Sequence, residues 1–222
     1  MRQTPFMGET AAPAGAASDK TAWATTTVAL VRHGQTDANQ QQRLQGREDR
    51  ELNEKGKEQV RLSAEHLAAY HWDLLVSSPT RRALQSAELI AHRLDIGHVE
   101  VVPDLMAREP GEAYNLTPRE IDNRFPDGHV PGSESREHVR ERAMRSLNHL
   151  ARAHGGKRIL IVAHREGING IVWLVSGGQL GTGISQLKIG SITQLEFRQG
   201  EWRLADYNAT GHLDGLAHGQ DR

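Results

Sequence analysis

The residues Val28-Ala29-Leu30-Val31-Arg32-His33-Gly34-Gln35-Thr36 carry an apolar run into a compact polar cluster. A permanent cation, a titratable nucleophile, a glycine and a hydroxyl come together at the end of what reads as a short buried strand, because apolar and β-branched residues pack on both faces of a parallel sheet. In an open α/β sheet the ligand crevice lies outside the carboxyl ends of the strands. The sequence therefore sets an Arg-His pair where such folds bind substrates. Other chemistries lack their parts. Cysteine is absent, which removes a thiol nucleophile, a disulfide framework and a thiolate metal site. The scattered His, Asp and Glu show no metal-ligand spacing, so neither a metal nor another cofactor is expected. No Gly-rich loop is followed by Lys-Ser or Lys-Thr, so there is no NTP-binding loop motif.

The elements that must position this pair follow from periodicity. After the first strand, Gln35 to Arg50 is polar and reads as an exposed loop able to fold over the crevice. Asn53 can cap a helix with Val60, Ala64, Leu67 and Ala68 on one face. Asp73 to Ser77 reads as a strand, and Ser78-Pro79 as a helix start with Ser as cap and Pro at the first helical position. That helix turns Ala83, Leu84, Ala87, Ile90, Ala91 and Leu94 inward. Val99 to Val102 is a short strand. Pro103 to Gly132 is irregular, with one short helix around Pro118 to Arg124, and such rim loops commonly carry specificity. Ser133 or Ser135 caps the next helix, whose stripe is Val139, Ala143, Leu147, Leu150 and Ala151. Arg158 to Ala163 is an unbroken apolar strand backed by a helix with Ile168, Ile171, Val172 and Val175. Ile189 to Phe197 and Trp202 to Tyr207 flank the turn signal Gln199-Gly200 and read as a hairpin. The alternation predicts an α/β fold: a three-layer α/β/α sandwich on a mostly parallel mixed sheet with an antiparallel edge hairpin.

The bulk numbers agree with one domain over residues 25–213, a disordered tail over 1–24 and a loose tail over 214–222. The chain has 222 residues, and its 27 Lys and Arg against 28 Asp and Glu give a formal charge of −1. A nucleic-acid binder would carry a basic excess. Nothing approaches the ~18 apolar residues of a membrane span. A cytoplasmic protein is expected, with no membrane or nucleic-acid partner, and its oligomeric state is left open because no exposed apolar stripe stands out.

The Arg32-His33-Gly34-x-Thr36 run, with Asn39 following, resembles the signature of the histidine phosphatase (phosphoglycerate mutase-like) superfamily. Further blocks come in the family's order: Ser77-Ser78-Pro79-Thr80-Arg81-Arg82-Ala83-Leu84-Gln85-Ser86-Ala87, Pro131-Gly132-Ser133-Glu134-Ser135, Val162-Ala163-His164, Gly190-Ser191-Ile192-Thr193 and Asn208 to Leu213. The resemblance implies a phosphomonoesterase acting on a small phosphorylated substrate through a phosphohistidine. His33 would be the nucleophile, its other ring nitrogen held by a carbonyl near Gly34. Arg32 and Arg82 would hold the phosphoryl oxygens as planar forks of donors, and His164 would stabilise the transferring group. Arg82 rather than its neighbour Arg81 fits the spacing from Ser77-Ser78. Thr36 and Asn39 would add neutral donors, Gln45 and Gly46 would line the entrance, and Gly34 would let the backbone turn tightly against the ligand. Most of the other histidines, His66, His71, His92, His98, His138, His149, His154 and His218, read as surface residues, while Tyr114, Phe125, His129 and Trp173 could either line a pocket or serve packing.

Two departures from the family pattern stand out. The family places a Glu four residues before a Gly in the loop after the third strand; Gly111 matches that Gly, but Ala107 occupies the position of the Glu. Counted forward from Pro103-Asp104, Arg108-Glu109 falls where the family has Arg-Glu. Glu109 is therefore the expected proton donor to the leaving group, and Glu112 the runner-up. The second departure is Arg165 after His164, which either adds a cation to the pocket or pairs with Glu166. A phosphoglycerate mutase and a non-catalytic phospholigand-binding protein on the same fold are the competing readings.

Overall fold

The computed structural model describes residues 24–216. The proposed N-terminal tail, except Ala24, lies outside the described residues, as do residues 217–222 and with them His218. In chain order the elements are β1 (Thr26–Arg32), α1 (Asp37–Gln40), α2 (Glu54–Leu67), β2 (Leu74–Ser77), α3 (Arg81–Leu94), β3 (Glu100–Val101), α4 (Pro118–Arg124), α5 (Arg136–Ala153), β4 (Arg158–Ala163), α6 (Arg165–Val175), β5 (Ile192–Arg198) and β6 (Glu201–Ala209).

The six strands form one sheet in the order β3-β2-β4-β1-β5-β6. β1, β2, β3 and β4 run parallel, and β5 and β6 add an antiparallel hairpin at one edge. Side chains alternate across a strand, and both faces of this sheet are covered. Val28, Leu30, Ile159 and Ile161 pack with Leu147 and Leu150 of α5 and Ile168 and Ile171 of α6. Ala29, Val31, Leu160 and Val162 pack with Val60, Ala64 and Leu67 of α2 and Ala83, Ala87 and Ile90 of α3. This is the expected sandwich of the α/β class. The reason the apolar runs show no alternation is that neither face of β1 or β4 meets water.

Four local readings change. Helix α3 begins at Arg81 with Thr80 as its N-cap, so Ser78-Pro79 is not the helix start. The segment after β1 is not wholly an exposed loop: Thr36 and Asn39 close a capping box on α1, and Gln35, Thr36, Ala38 and Gln45 are buried. Of the two candidate caps before α5, Ser135 accepts from the His138 N–H and Ser133 does not cap. β3 has two residues rather than four. Asn53 caps α2 as expected, accepting from the Gly56 N–H at 2.9 Å. Among the described residues no helix is long and apolar enough to cross a membrane.

Candidate active site

The sheet register brings the chemistry together. Arg32 at the end of β1 pairs with Ala163 at the end of β4, and Ser77 at the end of β2 pairs with Val162. The next residues, His33, His164 and Ser78, therefore emerge side by side from three adjacent parallel strands. The His33 N–H is held by the Ala163 carbonyl at 3.2 Å, and the Ser78 N–H by the Val162 carbonyl at 3.0 Å.

His33 is buried, and its Nδ1 lies 2.8 Å from the Gly34 carbonyl. A carbonyl can only accept, so Nδ1 carries the proton and Nε2 keeps its lone pair, which accepts from Arg82 Nε at 3.3 Å. This is the tautomer of an attacking imidazole. Burial, then the charges of Arg82 and Arg32, hold its pKa well below the ordinary histidine value, outweighing the carbonyl of Gly34, which raises it.

His164 lies beside it, the ring centroids 5.1 Å apart. Its Nδ1 faces Arg82 Nη2 at 3.4 Å, and its Nε2 lies 2.7 Å from Ser78 Oγ and 3.2 Å from Thr80 Oγ1. A guanidinium only donates, which assigns the proton to Nε2 and the hydrogen bond from there to the hydroxyls. Burial, followed by the Arg82 charge, keeps this imidazole neutral as well. Thr80 and His164 are also the N-caps of α3 and α6, and neither side chain caps its own first turn. The positive ends of both helices thus converge where an anion would sit.

Arg82 ties the cluster together. It is 2% exposed. Its Nη2 donates to the Gly46 carbonyl at 2.7 Å and its Nη1 to the Glu48 carbonyl at 3.1 Å, while the bonds to His33 and His164 account for its inner edge. Burial pulls its pKa down to about 10, a loss that Asp49 opposes, and it remains a cation at neutral pH. Arg81, the alternative, is exposed and pairs with Glu51 at 3.4 Å. Arg32 is half-buried, its Nη1 donating to the Leu187 carbonyl at 2.5 Å.

The proposed entrance residues form a network of their own. Thr36 Oγ1 donates within 2.8 Å of Gln45 Oε1, and Asn39 Oδ1 accepts from the Thr36 N–H at 3.2 Å. Gly34 also answers a steric demand that its sequence context does not show. Its φ is not positive, and a Cβ there would lie 2.3 Å from the Gly56 carbonyl oxygen, so the glycine lets the strand end meet the first turn of α2. Gly46 has φ +58°, and a Cβ there would strike the Pro110 ring.

The candidate acids separate. Glu109 is adjacent to Pro110, which abuts Gly46, and its side chain is 41% exposed with Oε2 at 3.8 Å from Arg47 Nε. Glu112 is turned to α4, pairing with Arg124 at 2.9 Å. Arg165 pairs with Glu166 at 3.1 Å, the second of the two alternatives raised for it. The remaining histidines among the described residues are exposed, apart from the half-buried His154 and His212.

Sequence reasoning passed over Ser78 and Thr80 as partners of His164, Arg47 beside Glu109, and the buried pair Glu134–Arg142. The signal for the last was present: Arg142 falls beside Val139, Ala143 and Ser146 on the buried stripe of α5, and a charge on such a stripe needs a partner.

Among known proteins, the model of the histidine phosphatase superfamily (branch 1) matches residues 28–210. The chain is 37% identical over 191 residues to the uncharacterized phosphatase PhoE of Bacillus subtilis, covering 86% of this chain and 98% of that one. It is 30% identical over 209 residues to the probable phosphoglycerate mutase GpmB of Cronobacter sakazakii, covering 86% of this chain and 96% of that protein. The solved structure of a mycobacterial glucosyl-3-phosphoglycerate phosphatase complexed with VO3 superposes with a TM-score of 0.76 at 28% identity, covering 83% of this chain and 99% of that one. The chain belongs to the histidine phosphatase superfamily, as a phosphoric monoester hydrolase.

Proposed function

We propose that His33 is the nucleophile of a two-step hydrolysis of small phosphomonoesters. In the first step His33 Nε2 bonds to phosphorus as the P–O bond to the leaving group breaks, and the leaving oxygen takes a proton from Glu109. In the second, water attacks phosphorus as the P–N bond breaks, and Glu109 recovers a proton from that water. Arg32, Arg82 and His164 stabilise the charge on the equatorial oxygens. The observation that carries this reading is the arrangement at His33: Nδ1 bonded to Gly34, Nε2 lone pair on the inner edge of Arg82, and His164 alongside. Glu109 is favoured over Glu112 because it adjoins the loop whose carbonyls hold Arg82, whereas Glu112 is engaged by α4.

Return of the phosphoryl group to a bound sugar acid is the second reading, supported by the relative named as a mutase. A substrate of that kind carries a second anion. Arg165, the cation considered for it, is engaged by Glu166, which also lies 3.9 Å from Arg136. Hydrolysis is therefore the preferred outcome. The cytoplasm stays the proposed compartment, on the sequence reading alone.

The test is phosphate release from 4-nitrophenyl phosphate and from a panel of metabolite phosphates, in EDTA, with His33→Ala as control. Acid-labile phosphate trapped on the wild-type protein and absent from the variant is expected. An active His33→Ala protein sinks the mechanism, and phosphoryl exchange among phosphoglycerates without net phosphate release would establish the mutase instead.

A further inference from the structure

Glu134 and Arg142 form a buried ion pair for which the reaction steps above have no use. Both side chains are 6% exposed. The carboxylate meets the guanidinium at two points, Oε1 to Nε at 2.7 Å and Oε2 to Nη2 at 2.9 Å. Removing two charges from water costs several kcal/mol for each ion, and a well-packed apolar pair would often be as stable. A pair like this calls for a reason other than stability, and the remaining bonds of its two members supply one.

Arg142 spends its other donors on the backbone that leads to Glu109. Its Nη1 donates to the carbonyls of Asp104 at 2.7 Å and Met106 at 2.6 Å, and its Nη2 to that of Ala107 at 3.2 Å. Glu134 continues the same path. Its Oε2 accepts from the backbone N–H of Glu109 at 3.2 Å, its own N–H donates to the Glu109 carbonyl at 2.9 Å, and its carbonyl accepts from Arg108 Nε at 2.6 Å. The segment 104–109, irregular beyond the short 3-10 turn Pro103–Leu105, is therefore held at five backbone groups by the side chains of Glu134, just before α5, and Arg142, within it, and by the Glu134 peptide N–H.

The clamp also reaches the phosphoryl side. Arg47 lies 3.5 Å from Glu134 Oε2 and 3.8 Å from Glu109 Oε2, and it sits between Gly46 and Glu48, the residues whose carbonyls hold Arg82. Immediately beyond Glu109, Gly111 at φ +57° packs so closely that a Cβ would lie 2.2 Å from the Pro131 carbonyl oxygen, which stitches the two loops together. Burial tends to raise the pKa of Glu134, but the bonds from Arg142 and the Glu109 N–H and the charge of Arg47 bring it below the usual range. The clamp is thus ionised at working pH.

We propose that Glu134 is a positioning residue for leaving-group protonation, fixing Glu109 in register with the phosphoryl pocket through the Glu109 backbone and Arg47. The inference rests on the reading of Glu109 as the acid. A clamp that merely holds the fold together would slow all substrates alike. A clamp that acts through Glu109 penalises only substrates whose leaving group needs the proton.

The experiment compares kcat/KM for 4-nitrophenyl phosphate, a good leaving group, with that for an alkyl phosphate, a poor one, in wild type, Glu134→Gln, Glu109→Gln and the double variant. Glu134→Gln is expected to lower alkyl phosphate turnover about tenfold and nitrophenyl phosphate turnover less than about threefold. In the Glu109→Gln background the same change should cost nothing further, because a positioning residue is silent once its client is gone. Arg47→Met, at an exposed residue that carries no burden in the core, should show the same selective loss in smaller measure. Equal losses on both substrates in Glu134→Gln and Arg47→Met, or additive losses in the double variant, overturn the proposal. If Glu109→Gln itself shows no dependence on leaving group, the reading of Glu109 as the acid fails first, and the two failures are told apart. Should Glu134→Gln not fold, the Arg47→Met comparison decides alone.

Discussion

The two ends of the site are built in opposite ways. At the phosphoryl end, His33 and His164 emerge from adjacent parallel strands, are buried, and have every ring nitrogen fixed by a named partner. At the proposed leaving-group end, Glu109 sits half-exposed on an irregular loop, its backbone bonded to Glu134 and its carboxylate beside Arg47 and the Gly111 N–H. The first end is rigid because the sheet has already ordered it, and it needs rigidity because every phosphomonoester presents the same anion. On the proposed reading the second end meets the part of the substrate that varies, and it is ordered by Glu134, just before α5, and Arg142, within it. On that reading, chemistry common to all substrates is placed on the scaffold, and chemistry that discriminates is placed on a clamped loop.

Perturbing each end in turn sharpens the contrast. His33→Ala should lower turnover of every phosphomonoester by at least about 10⁴-fold, whatever the leaving group; stopped-flow and steady-state assays on good and poor leaving groups would check this, and a loss on one class alone would break the comparison. Arg82→Met should cost about 10²–10³-fold, again evenly across substrates. Glu109→Gln should cost about 10²-fold on an alkyl phosphate and only a few-fold on 4-nitrophenyl phosphate, so its slope against leaving-group basicity is the measurement that separates the ends. The smallest effect is on stability. His33 and His164 are held neutral below the ordinary pKa near 6.5. The unfolded chain takes up protons as pH falls through about 6.5 while the folded chain does not, so their contribution is complete above that pH and is lost progressively below it. Urea unfolding at stepped pH should show a steeper acid decline in the wild type than in His33→Gln/His164→Gln, and parallel curves would argue that the imidazoles are not buried as neutral bases.

What the sequence disclosed follows the same division. β1, β4 and the stripe of α5 were legible because apolar periodicity is imposed by burial, and His33, Arg82 and His164 were legible because each stands at a fixed offset from such an element. Ser78 was misread because Ser-Pro satisfies the local rules for a helix start. Its hydroxyl is instead taken by His164, a partner 86 positions away that no local rule foresees. The steric demand at Gly34 was not legible, since Gly56, the residue it meets, belongs to another element, α2. The acid loop was the least legible part. Segment 104–110 carries no period, and what orders it is Arg142, some thirty-five residues further on.

The loop over residues 46–50 has a dynamic consequence. Its carbonyls at Gly46 and Glu48 are satisfied by the guanidinium that faces the histidines, and Asp49 accepts from the Arg81 N–H of the same helix. An anion drawn to Arg82 and the closed form of this loop therefore share one side chain, beside the bonds of Arg47 to Glu134 and of Arg50 to Tyr114. Were the loop to open, the guanidinium would lose both carbonyls, and the anion site would be dismantled while the sheet beneath stays folded. By linkage, an oxyanion that favours the ordered arginine must favour the closed loop by the same factor. The amide hydrogens of Glu48 and Arg50, bonded within the loop to Gln45 and Glu48, should then exchange with solvent more slowly as phosphate or vanadate is added, well before any change reaches the amides of β1. Occupancy of the pocket would be recorded on the surface of the molecule as slowed exchange.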